Sequence, residues 1–180
     1  MKKLVECVPN FSEGRDQNKI GDIVKQMSDI PGITVLDVDP GPDTNRTVVT
    51  IVGLPEAVGE AAFQGIKRAS EVLDMSQHFG THPRMGATDV CPFIPVSDVS
   101  IEECVKLSKL VGKRVGDELG IPVYLYEKAI WIVVNLITIF LFYKNKNLTQ
   151  IIGWSKRHKY ITKAKKDVYL RNYIEMAYLD

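Results

Sequence analysis

The chain predicts an α+β fold in which two β-α-β halves are joined by a hairpin, with one further helix and strand appended. Three observations carry this prediction. Short, alternating, Val- and Ile-rich runs recur at residues 3–8, 33–39, 46–53, 87–96 and 121–126. Three stretches with apolar residues at helical spacing lie among them. Clusters of Gly, Pro, Asn and Asp punctuate the junctions up to about residue 129. The resulting order, β-α-β-β-α-β-α-β, is the split β-α-β or ferredoxin-like plan with its helices on one face of the sheet. The opposite face needs cover that residues 1–129 do not offer.

The elements follow in order. "KLVECV" (3–8) alternates and opens the sheet. "VPNFSEGRD" (8–16) reads as a turn-rich loop with Asp16 as N-cap. Ile20, Ile23, Val24 and Met27 form the stripe of the first helix, which Pro31-Gly32 stops. "ITVLDVD" (33–39) and "RTVVTIVG" (46–53) are strands joined by "PGPDTN", a connection longer than a simple hairpin needs. Pro55 opens the second helix as a first-turn proline, with Val58, Ala62, Ile66, Ala69 and Leu73 on its apolar side. "ATDVCPFIPV" (87–96) is a strand whose two prolines favour an edge or a bulge. Ser100 and Glu103 are spaced as a capping box for a helix through Val105, Leu107, Val111, Val115 and Leu119. Gly120 ends that helix, and "IPVYLY" (121–126) is the last strand.

Composition is that of a soluble globular protein with a net charge of +1. The charge is divided unevenly. Residues 1–129 hold 14 Lys and Arg against 19 Asp and Glu, a balance of −5, and residues 130–180 hold 9 against 3, a balance of +6. Such a split separates a domain, 1–129, from a divergent tail, 130–180. The tail begins with the uncharged run "IWIVVNLITIFLFY" (130–143) and carries the basic stretch "SKRHKYITKAKK" (155–166). Three readings of the apolar run stay open: a shallow anchor, a segment packed on the open sheet face, or translation from a shifted frame or unspliced intron. At 14 residues it is short for a ~30 Å hydrocarbon core, so membrane attachment is not expected. The basic stretch lacks a nucleic-acid motif and reads as solvated charge. Cys7, Cys91 and Cys104 form no CxxC pair and read as small buried hydrophobes in a reducing compartment. The start "MKKLVECVPN" has too short an apolar run for a signal peptide, so residues 1–129 read as cytoplasmic.

Polar residues gather in three loops beside strand ends: Asn10, Ser12, Glu13 and Arg15; Asp37, Asp39, Asp43, Asn45 and Arg46; and His78, His82, Arg84 and Asp89. Catalytic groups tend to sit on loops held by a rigid scaffold. A histidine titrates near neutrality and suits acid–base work. In "FGTHPRMGATDV", His82 stands beside Pro83 and between Gly80 and Gly86, a framing suited to presenting its ring to a ligand. From spacing alone, His78 reads as a loop residue, Asp43 and Asn45 equally as turn formers, and Arg15 or Arg46 equally as surface charges.

Three long motifs, "VECVPNFSEGRD", "DVDPGPDTNRTVVTIVG" and "DMSQHFGTHPRMGATDVCPFIPV", resemble the amino-terminal half of glutamate formimidoyltransferase, the formiminotransferase domain fused in animals to a cyclodeaminase. The resemblance runs from about Lys2 to Ala129. It implies two ferredoxin-like subdomains with folate between them, and transfer of a formimino group from N-formimino-L-glutamate to tetrahydrofolate, a step of histidine degradation. Tetrahydrofolate would be a co-substrate, and no metal is implied. It places the catalytic histidine on His82 and an assisting acid on Asp39. Arg84, Asn10, Asn45 and Arg46 fall within the same motifs and are expected to bind substrate.

His82 would take the proton lost by the attacking folate amine, with Asp39 orienting the imidazole and Arg84 holding a carboxylate. The family's second subdomain is not recognisable after Ala129. Weak or absent turnover is therefore expected from this chain alone, unless a homo-oligomer or another chain supplies the missing wall. The alternative is a non-catalytic half-domain that binds folate or a partner and keeps the site motifs by descent.

Overall fold

In the computed structural model, which describes residues 2–129 and 174–176, a largely antiparallel sheet is built around β4 (Arg46–Gly53). On one side β4 pairs with β3 (Thr34–Gly41). On the other it pairs with β1 (Leu4–Cys7) and β2 (Asn10–Phe11), which follow one another along the same edge. Beyond these lie β6 (Phe93–Ser97) against β1 and β5 (Thr88–Val90) against β2. All these pairings are antiparallel. β8 (Ile174–Met176) then lies parallel between β5 and β7 (Val123–Leu125). With α1 (Gln17–Ser28), α2 (Pro55–Val72) and α3 (Ile101–Leu119), the described residues form a mixed α/β fold.

The helix ends are set by local chemistry. The Asp16 carboxylate accepts from the backbone N–H groups of Asn18 and Lys19, so α1 starts there. α2 begins at Pro55, where a missing N–H is harmless. α3 carries the full Ser100/Glu103 capping box and stops at Gly120, whose left-handed φ of 65° a glycine adopts without the strain a Cβ would bring.

Burial alternates along β4, with Thr47, Val49, Ile51 and Gly53 buried and their neighbours half-buried. Val49 and Ile51 join Val5, Cys7, Phe11 and Phe93 of the sheet in one apolar cluster with Ile23, Met27, Val58, Ile66 and Val115 of the helices. The side-chain period of two sends Arg46, Val48, Thr50 and Val52 to the other face. Asn10 and Asp39 both pair with Val48, so they stand on that face too. The Cys7 and Cys91 sulfurs lie 3.6 Å apart in the core as free thiols, and Cys104 is buried on α3.

Several elements differ from expectation. The opening strand resumes after Pro9 as β2. Pro9 has no N–H, yet its carbonyl accepts from Val49 at 3.0 Å and keeps the register. The predicted strand 87–96 is split at Cys91-Pro92 into β5 and β6. β3 bulges between Val35 and Asp37, which leaves Leu36 57% exposed. On α3 the buried side is Cys104, Ser108, Val111, Gly112 and Val115, rotated from the expected stripe. β8 was not foreseen, because it pairs over long range and lacks turn signals around it. The runs 130–143 and 155–166 lie outside the described residues. Among the described residues, no helix is long and apolar enough to cross a membrane.

Candidate active site

Three loops meet at the end of the sheet where β2, β4 and β5 come together, and Asn45 joins them. Its Oδ1 accepts from the Gly14 N–H at 2.9 Å and its Nδ2 donates to the Phe79 carbonyl at 2.9 Å. Its own carbonyl accepts from His78 Nε2 at 2.9 Å. Asn45 holds a left-handed φ of 50°, which Asn tolerates better than most residues. The packing is close enough to demand glycine: a Cβ on Gly80 would collide with the Thr44 carbonyl, and one on Gly14 with that of Gly41. Ser12 ties the first loop to the third by donating to the Gly86 carbonyl at 2.6 Å. Glu13, buried, accepts from the N–H groups of Arg15 and Asp16.

Arg46, the first residue of β4, organises the polar cluster. Its Nε donates to Asn10 Oδ1 at 2.9 Å and its Nη1 to Asp89 Oδ2 at 2.7 Å. The same Nη1 lies 2.9 Å from His82 Nδ1 and 3.3 Å from Nε2. His82 Nδ1 also meets the Pro83 carbonyl. The imidazole is exposed, while Asp89 is only 5% exposed. Asp89 is the extra residue of a bulge, because Asn10 pairs with Val90 and Phe11 with Thr88. Burial raises the Asp89 pKa, against the pull of the Met85 N–H, Arg46, His82 and Arg84. Its Oδ1 accepts from Met85 N–H at 2.6 Å.

Arg84 turns inward on its own loop. Nη1 donates to the carbonyls of Gly80 (3.0 Å) and His82 (2.8 Å), and Nη2 to that of His78 (2.8 Å). Burial lowers its pKa, opposed by Asp89. Burial and the neighbouring Arg84 charge lower that of His78. The site is thus an exposed imidazole held against a guanidinium whose charge a buried carboxylate balances. Such an exposed ring can take up and return a proton.

Residues 4–132 match the family model described as "Formiminotransferase domain, N-terminal subdomain". The chain belongs to this family. Over 129 residues, 72% of the chain, this formiminotransferase subdomain is 58% identical to formimidoyltransferase-cyclodeaminase of Mus musculus, of which it covers 24%. It is 54% identical over 129 residues to glutamate formimidoyltransferase of Streptococcus pyogenes serotype M1, covering 43% of it. The Thermoplasma acidophilum enzyme of the same name is 52% identical over 126 residues, with 42% covered. The chain therefore spans from a quarter to less than half of these relatives.

Of the residues expected in the site, the formiminotransferase subdomain brings His82, Arg46 and Asn10 into one hydrogen-bonded cluster. Asp39 is exposed on β3 at the same face, and among the described residues it is not a hydrogen-bond partner of His82. Asn45 and Arg84 reach the site's loops but engage backbone groups there. Asp89 is the carboxylate that sequence reasoning set among the loop residues without assigning it a role. Its signal was weak, since a bulge is what turns it beneath Arg46. Among the described residues, no group of three or more His, Cys, Asp or Glu is placed to hold a metal ion.

Proposed function

We propose that the chain provides one wall of a glutamate formimidoyltransferase site, moving a formimino group from N-formimino-L-glutamate to tetrahydrofolate. The observation that carries this reading is His82, exposed on its loop and held by the Arg46–Asp89 pair, in a chain related to proteins named for that reaction. The N5 amine of the folate attacks the formimino carbon and forms the new C–N bond. The proton it sheds passes to the His82 ring. His82 returns it to the glutamate nitrogen as the old C–N bond breaks. Relays of this kind contribute about 10²–10⁴-fold.

Asp39, free of His82 and facing the same side of the sheet, is proposed to stand against the cationic formimino group. Asn10 and Arg46 line the approach. A substrate-binding role for Arg84 requires exchanging one of its loop carbonyls for a ligand carboxylate. The pairing order β3-β4-β1/β2-β6/β5 supports the ferredoxin-like plan for this half, with helices against one face and the ligand on the other. The three free thiols support a reducing, cytoplasmic setting.

The chain's short coverage of its relatives favours a second reading, a half-domain that binds folate without turnover. Transfer assayed on the full chain separates the two. Slow transfer that falls by about 10²–10⁴-fold in His82→Ala supports the enzyme. Tetrahydrofolate binding with no transfer, unchanged by His82→Ala, supports the binding module. A second copy or another chain supplying the opposite wall would raise the rate.

A further inference from the structure

We propose that Arg15, reinforced by the charge of Arg84, forms a subsite on the loops around His82 for a carboxylate of a glutamyl ligand. The proposal rests on the transferase reading for the identity of that ligand, since both reactants of the transfer carry a glutamate group. The subsite itself follows from an imbalance of charge. Arg15, Arg46 and Arg84 all stand on the three loops of the site, and among the described residues only Arg46 is ion-paired, with Asp89. Arg84 is half-buried and directs its Nη groups at the carbonyls of Gly80, His82 and His78. Carbonyls accept hydrogen bonds but carry no full charge, so this cation is partly out of water without a counterion. Burial lowers its pKa, and the nearby Arg15 charge adds to that against the pull of Asp89. Two cations brought together in this way favour an anion beside them.

Arg15 supplies the donors that Arg84 lacks. It is exposed, and its Nε donates to the Pro42 carbonyl at 2.8 Å. That bond fixes the guanidinium against the second loop and leaves both Nη groups without a partner among the described residues. The second loop is in turn tied to the third. The Thr81 N–H and hydroxyl both reach the Asp43 carbonyl at 3.3 Å, and Asn45 Nδ2 holds the Phe79 carbonyl. The anchor of Arg15 is therefore locked to the loop that Arg84 braces and that carries His82.

The neighbouring acids are engaged elsewhere. The Glu13 carboxylate accepts from the backbone N–H groups of Arg15 and Asp16 and lies 4.0 Å from Lys19 Nζ. Asp16 caps α1. What remains is a planar guanidinium with two open Nη groups, which match the two oxygens of one carboxylate. Arg15 is thus a substrate-positioning residue, and Arg84 deepens the field in which it acts.

The test uses the full chain labelled with ¹⁵N-arginine, titrated at low salt while the arginine Nε–H signals are followed. The probes are N-acetyl-L-glutamate, for the glutamate half of the donor, and 4-aminobenzoyl-L-glutamate, for the tail of the folate. The uncharged diamide of N-acetyl-L-glutamate is the control. Wild type, Arg15→Gln and Arg15→Lys are compared, with the Asn45 side-chain amide signals reporting intact loops. The expected result is that a carboxylate probe moves the Arg15 and Arg84 signals together and the diamide does not. Arg15→Gln should weaken binding about tenfold, and Arg15→Lys should recover only part of it. Binding of one probe alone assigns the subsite to that reactant, and equal binding of both assigns it to the carboxylate itself. The proposal is overturned if neither probe moves the Arg15 signal, if the diamide binds as well as the carboxylates, or if Arg15→Gln leaves the Kd unchanged. Formimino transfer and its loss in His82→Ala are measured separately, so failure here leaves the transferase reading standing.

Discussion

Replacing Arg46 by Met tests how the site is held together. Methionine keeps much of the apolar stem and removes the guanidinium. The Arg46 and Asp89 side chains are 17% and 7% exposed, so their ion pair is largely out of water. Removing one partner of such a pair costs about 3–5 kcal/mol, because the remaining charge stays buried alone. Asp89 can relieve this by taking up a proton. Burial already raises its pKa, and loss of Arg46 would raise it further, each tenfold in proton affinity being worth about 1.4 kcal/mol.

The sign follows from proton counting. Above the ordinary value of 3.8 the unfolded chain has released this proton, while the folded variant still holds it up to its raised pKa. Stability of Arg46→Met therefore rises as pH falls through that window and is lowest above it. Urea unfolding of wild type, Arg46→Met, Asp89→Asn and the double variant would be measured at neutral and mildly acidic pH. The single Arg46 variant should lose about 3–5 kcal/mol at neutral pH and less in acid. Adding Asp89→Asn should restore part of the loss. A deficit below about 1 kcal/mol, as exposed pairs give, or additive penalties at both pH values, would refute the reasoning.

Asn45→Ala should cost about 2–4 kcal/mol in chemical denaturation, since two backbone groups lose their partner and alanine resists a positive φ. Asn45→Gly should recover only the backbone share, about 1 kcal/mol. The lowered pKa of His78 means that the fold favours its neutral ring. Melting temperature should therefore fall as pH drops through the ordinary value of 6.5 and level off below the lowered one, a step absent in His78→Gln. Ser100→Ala removes half of the α3 capping box and should cost about 1 kcal/mol by thermal unfolding.

The sequence made the helices legible because their ends are local: Asp16, Pro55, Ser100 with Glu103, and Gly120 each act within four residues. β4 was equally plain from its alternation. What escaped were features decided by distant pairing. Pro9 interrupts an edge that the Val49 N–H keeps in register, and β8 has its partners scores of residues away. The same division holds in the site. The rigid frame around His82 was visible in Gly80, Pro83 and Gly86, and Gly80 does pack hard on the second loop. Asp89 looked like one more acid at a strand start, because nothing local announces the bulge that turns it beneath Arg46. Arg84 read as a ligand clamp, since a sequence cannot show that three carbonyls of its own loop surround it.

The adjacent thiols of Cys7 and Cys91, with Cys104 on α3, give the molecule a gauge of its own opening. Burial pushes the Cys7 pKa up and that of Cys104 to about 11, so neither of these two meets an alkylating reagent as a ready thiolate while the fold is closed, and Cys91 is shielded by its burial. Cys7 can be modified only when β1 parts from the neighbouring strands, and Cys104 only when α3 lifts. The order in which a small alkylating agent marks the three would then map which edge of the domain loosens first. It would do so at sites already supplied by the native chain.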